Sequence, residues 1–252
     1  MSVSLRRLPG DPSDLYLRIA FRDDLEDTPS SETLERWEVT IHQRGAHDGP
    51  GAGRAARGER AQEHSAAVDR DDGTVGQMTF YRVHPDRGMN AWLALTEASE
   101  DLAEIARAVL DPDTGNFTTA TSHLLEYAGV DLLVMDRVHL ARDLRGHGLG
   151  AMLACEAIYR LMPGCRAVAC SPGLSDHDRE HRIDQSEWDR VLAQIAKGWE
   201  RVGFRHYEDN VYLLSPASEL VEEQRSVLRR EFAELGAAWR ASAARGQAAP
   251  RT

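Results

Sequence analysis

The sequence predicts an α/β fold of the α+β kind, with one central, mixed, twisted sheet flanked by helices in a single domain. Three observations carry this expectation. Short runs that alternate apolar and polar residues, or that are rich in β-branched ones, recur along the chain. Stretches with helical spacing separate the later runs. Hydrophobic residues make up 42% of 252 positions, enough for one substantial core.

The elements follow in order. Leu15–Phe21 and Trp37–His42 alternate and read as strands. Residues 44–63 are rich in Gly, Ala, Arg and His without periodicity, and read as a flexible surface loop. The Gly-rich run Gly49–Gly53 inside it has no preceding strand and no following Lys-Ser/Thr, so it is not a phosphate loop. Asp72-Gly73 is a turn signal, and Val75–Val83 is a strand that completes a hairpin. Ala91–Leu95 reads as a further short strand. Ser99–Leu110 is a helix with Glu100, Asp101 and Glu104 near its start, where carboxylates suit the helix dipole. A second helical piece spans Ser122–Tyr127 and ends at Gly129.

Leu132–Leu140 is an interior strand broken by a few polar groups. Leu149–Leu161 is an almost wholly apolar helix stopped by Pro163-Gly164, and Arg166–Ser171 is a short buried strand. After a polar connection, Ser186–Val202 places Trp188, Val191, Leu192, Ile195 and Trp199 at helical spacing. Phe204–Tyr207 and Val211–Leu214 pair around Asp209-Asn210. Leu220–Trp239 is a last amphipathic helix. The domain is expected to span residues 1–216, with a C-terminal helix over 217–241 and a disordered tail over 242–252.

Composition narrows the partners. The formal charge of −11 disfavours a nucleic-acid backbone and suits a cationic substrate. No run of eighteen apolar residues exists to span a membrane, and no apolar segment follows Arg6 and Arg7 as a secretory signal requires. The three cysteines, Cys155, Cys165 and Cys170, lack metal or disulfide spacing and read as small buried apolar residues in a reducing, cytoplasmic setting. His177 and His181 stand four apart, but among arginines in a hydrophilic stretch, so no metal is expected there.

The informative segment is Arg145-Gly146-His147-Gly148-Leu149-Gly150, between a buried strand and an apolar helix. Glycines permit a sharp turn and close approach of a ligand to the backbone. The unpaired amides at a helix start, at the positive end of its dipole, favour a phosphate. A Walker loop would need a lysine that is missing. The dinucleotide fingerprint fits Gly146–Ala151 literally, but the next strand ends Cys170-Ser171-Pro172 without the acid that fingerprint requires.

The segment instead resembles the Q/R-x-x-G-x-G/A signature of the GNAT superfamily of N-acetyltransferases, as Arg145-x-x-Gly148-x-Gly150. Leu140 and Val138 stand where that family has aliphatic residues, and Trp199-Glu200-Arg201-Val202-Gly203-Phe204 resembles its later Gly-Phe motif. The resemblance covers about Val130 to Leu214. It implies acetyl-CoA as cosubstrate, with no metal. Arg145, Gly146, His147, Gly148, Leu149 and Gly150 would surround the pyrophosphate. A splayed strand would offer backbone groups of Val138, His139 and Leu140 to the pantetheine arm. A primary amine, of a small molecule or of a peptide or protein, would attack the thioester directly, held close to it.

Asp136, nine residues before Arg145, is the candidate general base. It interrupts an apolar face formed with Val134, Val138 and Leu140, while His139 points the other way if the strand is regular. The family's proton-donating tyrosine falls on Trp199, which has no acidic proton, so Tyr207 or Tyr212 is the candidate acid. The protein is expected to be a monomer or homodimer. Two other readings stay open: an acyl-CoA-binding regulatory module without turnover, and a tRNA-acylating toxin, which should carry a basic face.

Overall fold

Seven strands form one mixed sheet in a computed structural model that describes residues 8–23, 28–44, 73–126, 129–173 and 185–247. The strands are β1 (Leu15–Arg22), β2 (Leu34–Gln43), β3 (Thr74–Val83), β4 (Asp131–Leu140), β5 (Cys165–Cys170), β6 (Arg205–Glu208) and β7 (Val211–Leu214), in the order β1-β2-β3-β4-β5-β7-β6. β4 and β5 are parallel and the other neighbours antiparallel. The helices are α1 (Ala91–Ala98), α2 (Glu100–Val109), α3 (Thr119–Leu124), α4 (Leu149–Leu161), α5 (Gln185–Val202) and α6 (Glu219–Gln247). The expected glycine-rich loop beyond Arg44 and the connection holding His177 and His181 lie outside the described residues.

Alternating side chains build a core on each face of the sheet. On one face Val39, Ile41, Met78, Phe80, Leu133, Met135 and Val168 meet Leu149, Leu153 and Ile158 of α4, with Val202, Val221 and Leu228 from α5 and α6. On the other face Val83, Leu132, Val134, Ala167, Ala169 and Val211 meet Leu95, Leu102, Ile105 and Val109 of α1 and α2. The three cysteines are buried, as expected. Burial pushes the thiols of Cys155 and Cys165 up to about 11 and about 12, and that of Cys170 up as well.

Three expectations need correction. Ala91–Leu95 is helix, not strand, because the Asn90 side-chain oxygen accepts the Trp92 and Leu93 amides at 2.9 and 3.2 Å and starts α1. α3 begins earlier than expected, at Thr119, because Thr118 caps it through the Thr121 amide. α6 runs to Gln247, beyond the expected end at 241, and so takes in part of the expected tail. Its far turns are tied down where Trp239 Nε1 donates to the Leu8 carbonyl at 3.2 Å and Arg240 pairs with Asp11 at 3.0 Å.

Candidate functional site

The middle of β4 is where the sheet opens. β5 pairs with β4 only along Asp131–Met135. Residues 136–140 therefore have β3 on one side and, among the described residues, no strand on the other. The ladder with β3 is also interrupted there. Thr79 pairs with Arg137 and Phe80 with Met135, so Asp136 is the extra residue of a β-bulge. The bulge corrects the expected face. Val134 packs into the α1–α2 core, but Val138 and Leu140 pack with the α4 core, because one inserted residue inverts the alternation.

Asp136 stands at this fork with 10% of its side chain exposed. Arg137 Nε lies 3.7 Å from its carboxylate and Arg137 Nη2 lies 4.0 Å from Asp101 of α2. Burial raises the pKa of the Tyr81 phenol, and the Asp136 charge pushes it the same way. On the β5 side of the fork, Ser171 Oγ donates to Glu104 at 2.7 Å and accepts from Asn210 Nδ2 at 2.8 Å. The sequence does not mark Tyr81, Glu104, Ser171 and Asn210 as neighbours of this fork. They come from four separate elements or turns and share no spacing.

Beyond Leu140 the chain makes a short turn over Arg142–Leu144 and then the glycine loop. Gly146 and Gly148 have φ of +82° and +76°, the left-handed region that costs other residues about 1–2 kcal/mol. Gly148 is the N-cap of α4 and offers its first amides no side-chain acceptor. A Cβ on Gly146 would meet nothing within 4 Å, so that backbone is open to a ligand. Leu149 is buried and anchors the helix start, while a Cβ on Gly150 would contact Leu140 Cδ1 at 3.6 Å.

Arg145 turns back on the strand. Its Nε donates to the Leu140 carbonyl at 2.8 Å and its Nη2 lies 3.4 Å from Nδ1 of the exposed His139. His147 faces α6. With Gly148, Leu149 and Met152 it lines a cleft of about 30 Å³ closed by Leu228, Glu231, Phe232 and Leu235.

The two candidate tyrosines lie on opposite faces of the sheet. Tyr207 packs with the α1–α2 core, its hydroxyl 3.1 Å from Thr121 Oγ1. Tyr212 packs with the α4 core, as Trp199 does, and burial raises its pKa.

A larger cleft, of about 310 Å³, lies at the opposite end of β4 and is lined by Asp86, Phe117 and Arg166 among others. Near it His84, Asp86 and Asp131 bring ligand-type atoms within 4.8 Å of one another. Asp131 there already meets His84 Nδ1 at 2.9 Å and Arg82 at 3.8 Å, and His84 Nε2 stands 3.1 Å from Glu35. Arg82 supplies a counter-charge to Asp131 there.

No family model matches the chain, and no curated protein matches it. Among solved structures it is similar to one described as "Crystal structure of AtaTR bound with AcCoA". The two share 11% identity with a TM-score of 0.36, over 85% of this chain and 98% of that one. A likeness this distant decides neither family nor ligand. No helix among the described residues is long and apolar enough to cross a membrane.

Proposed function

We propose that the protein is an acyl-CoA-dependent N-acyltransferase of the GNAT type, moving an acetyl group to a primary amine. The observation that carries this reading is the continuity of the fork with the loop. The stretch of residues 136–140, beyond the reach of the β5 pairing, leads through Arg142–Leu144 to the left-handed glycines at the start of α4. An extended arm ending in phosphates fits that path. Backbone groups of Val138, His139 and Leu140 would pair with the arm. Amides of Gly146, His147, Gly148, Leu149 and Gly150 would surround the phosphates, with Arg145 bracing the loop against Leu140. Acetyl-CoA would supply the activated thioester carbonyl.

Asp136 stands at the head of this path with its side chain largely enclosed, close enough for its charge to act on the Tyr81 phenol. It would take a proton from the acceptor's ammonium group, directly or through water, so that the neutral amine attacks the thioester. Asp101, Glu104 and Asp136 outnumber the nearby cation Arg137, and this balance suits a cationic acceptor. Tyr212 and Tyr207 remain the proposed donors to the departing thiolate. Tyr212 shares its face with α4, whereas the Tyr207 hydroxyl is already shared with Thr121.

The test is acetyl-CoA binding and turnover by the wild type and Asp136→Asn, with NADH as control ligand. The expected result is binding by both proteins and a loss of turnover in the variant of about 10²–10⁴-fold. Binding without turnover in the wild type would make the protein a CoA-binding module instead. A melting-temperature rise with NADH alone would return the loop to the dinucleotide reading.

A further inference from the structure

The guanidinium of Arg201, in the last turn of α5, lies over the N-cap of α4. A Cβ built on Gly148 would stand 3.3 Å from its Nη1. A cation is unfavourable at that place, because the start of a helix already carries partial positive charge. The imidazole of His147 and the guanidinium of Arg145 are within three residues of the same cap. What balances Arg201 is Glu231 of α6, whose carboxylate accepts from its Nη2. The contact joins two exposed side chains across the mouth of the loop, 39% and 52% accessible, so water and ligands reach both. The cleft beside Glu231, of about 30 Å³, is far smaller than a nucleotide.

We propose that Arg201 is a ligand for a phosphate of the bound acyl-CoA, and that Glu231 is the anion that occupies Arg201 until the phosphate displaces it. The inference rests on the acyl-CoA reading and adds to it a specificity residue outside the loop. It explains why a cation sits against a helix N-terminus. It also makes the last helix a participant in loading, since Glu231 belongs to α6 and must release Arg201 for a phosphate to take its place. Phosphate is the better partner, because a guanidinium donates two parallel hydrogen bonds to it and it carries more charge than a carboxylate.

The experiment is calorimetric titration with acetyl-CoA of the full chain as wild type, Arg201→Gln and Glu231→Gln, repeated with S-acetylpantetheine, which has the arm and no phosphate. Arg201→Gln is expected to weaken acetyl-CoA binding roughly tenfold, the scale of one charge-assisted contact. Glu231→Gln is expected to tighten it, by releasing Arg201. S-acetylpantetheine should not distinguish the three proteins, which separates a phosphate contact from a general disturbance of the fold. Acetyl-CoA affinity within twofold of wild type in Arg201→Gln overturns the inference and leaves the acyl-CoA reading standing, as does weaker binding in Glu231→Gln. If Arg201→Gln fails to fold, the Glu231→Gln result decides by itself. Absence of acetyl-CoA binding in the wild type overturns the acyl-CoA reading and the inference with it.

Discussion

Glu156 shows how much a single side chain can carry in this fold. Its two carboxylate oxygens accept from Arg225 at 3.0 and 3.1 Å and from Arg229 at 2.6 and 2.8 Å, fastening α6 to α4. Arg225 also stacks on the Tyr159 ring, 3.3 Å from its centroid. Partial burial works against the charge, but the two guanidiniums outweigh it and hold the Glu156 carboxyl at about 2. The folded-state value lies below the ordinary 4.5, so the contribution is complete above that pH and is lost as pH falls from 4.5 towards about 2. Glu156→Gln should therefore destabilise the protein by about 2 kcal/mol at neutral pH, leaving the buried Arg225 without its nearer counter-charge. Urea unfolding at pH 7 and pH 3 checks this, because the gap between variant and wild type should narrow at the lower pH. A gap independent of pH would mean that packing of the side chain, and not its charge, matters.

Among the elements, those with strong periodicity or composition were legible. The α4 helix was read with its observed bounds, and β3, β4, β5 and α5 to within a residue or so at their ends. The failure at Ala91–Leu95 is instructive. An apolar run of five fits a buried strand or the inner face of a helix equally well, and only the cap decides. Asn90 supplies that cap and also donates to the Pro112 carbonyl at 3.0 Å, tying the start of α1 to the loop after α2. Asn90→Ala is expected to cost about 1 kcal/mol, the ordinary value of an N-cap, read as a lower midpoint in urea with an unchanged slope. Asn90→Asp should recover most of the loss, since it restores the acceptor.

At the scale of the whole molecule, α6 has the widest reach. Val221 and Leu228 complete the α4-side core, Glu231 reaches the glycine loop, and Trp239 and Arg240 hold the segment before β1. A chain ending at residue 218 should lose cooperative unfolding and bind a hydrophobic dye, because the α4 face would be left bare. Normal cooperative melting of that shortened chain would show that α6 is an appendage and not part of the core.

By itself the sequence determined the α/β class, the single sheet, the central strand and helix, and the glycine turn between them. These depend on local spacing, cap chemistry and the conformational freedom of Gly146 and Gly148, all of which are written in consecutive residues. Only the tertiary structure decided where the sheet parts, that Asp136 is a bulge residue, and that Val134 and Val138 face opposite ways. It alone brought Tyr81 within the electrostatic reach of Asp136, Ser171 beside Glu104, and Arg201 beside Gly148. The physical reason is that pairing register and helix docking are set by burial summed over the whole core, and one inserted residue in a ladder reverses every face beyond it.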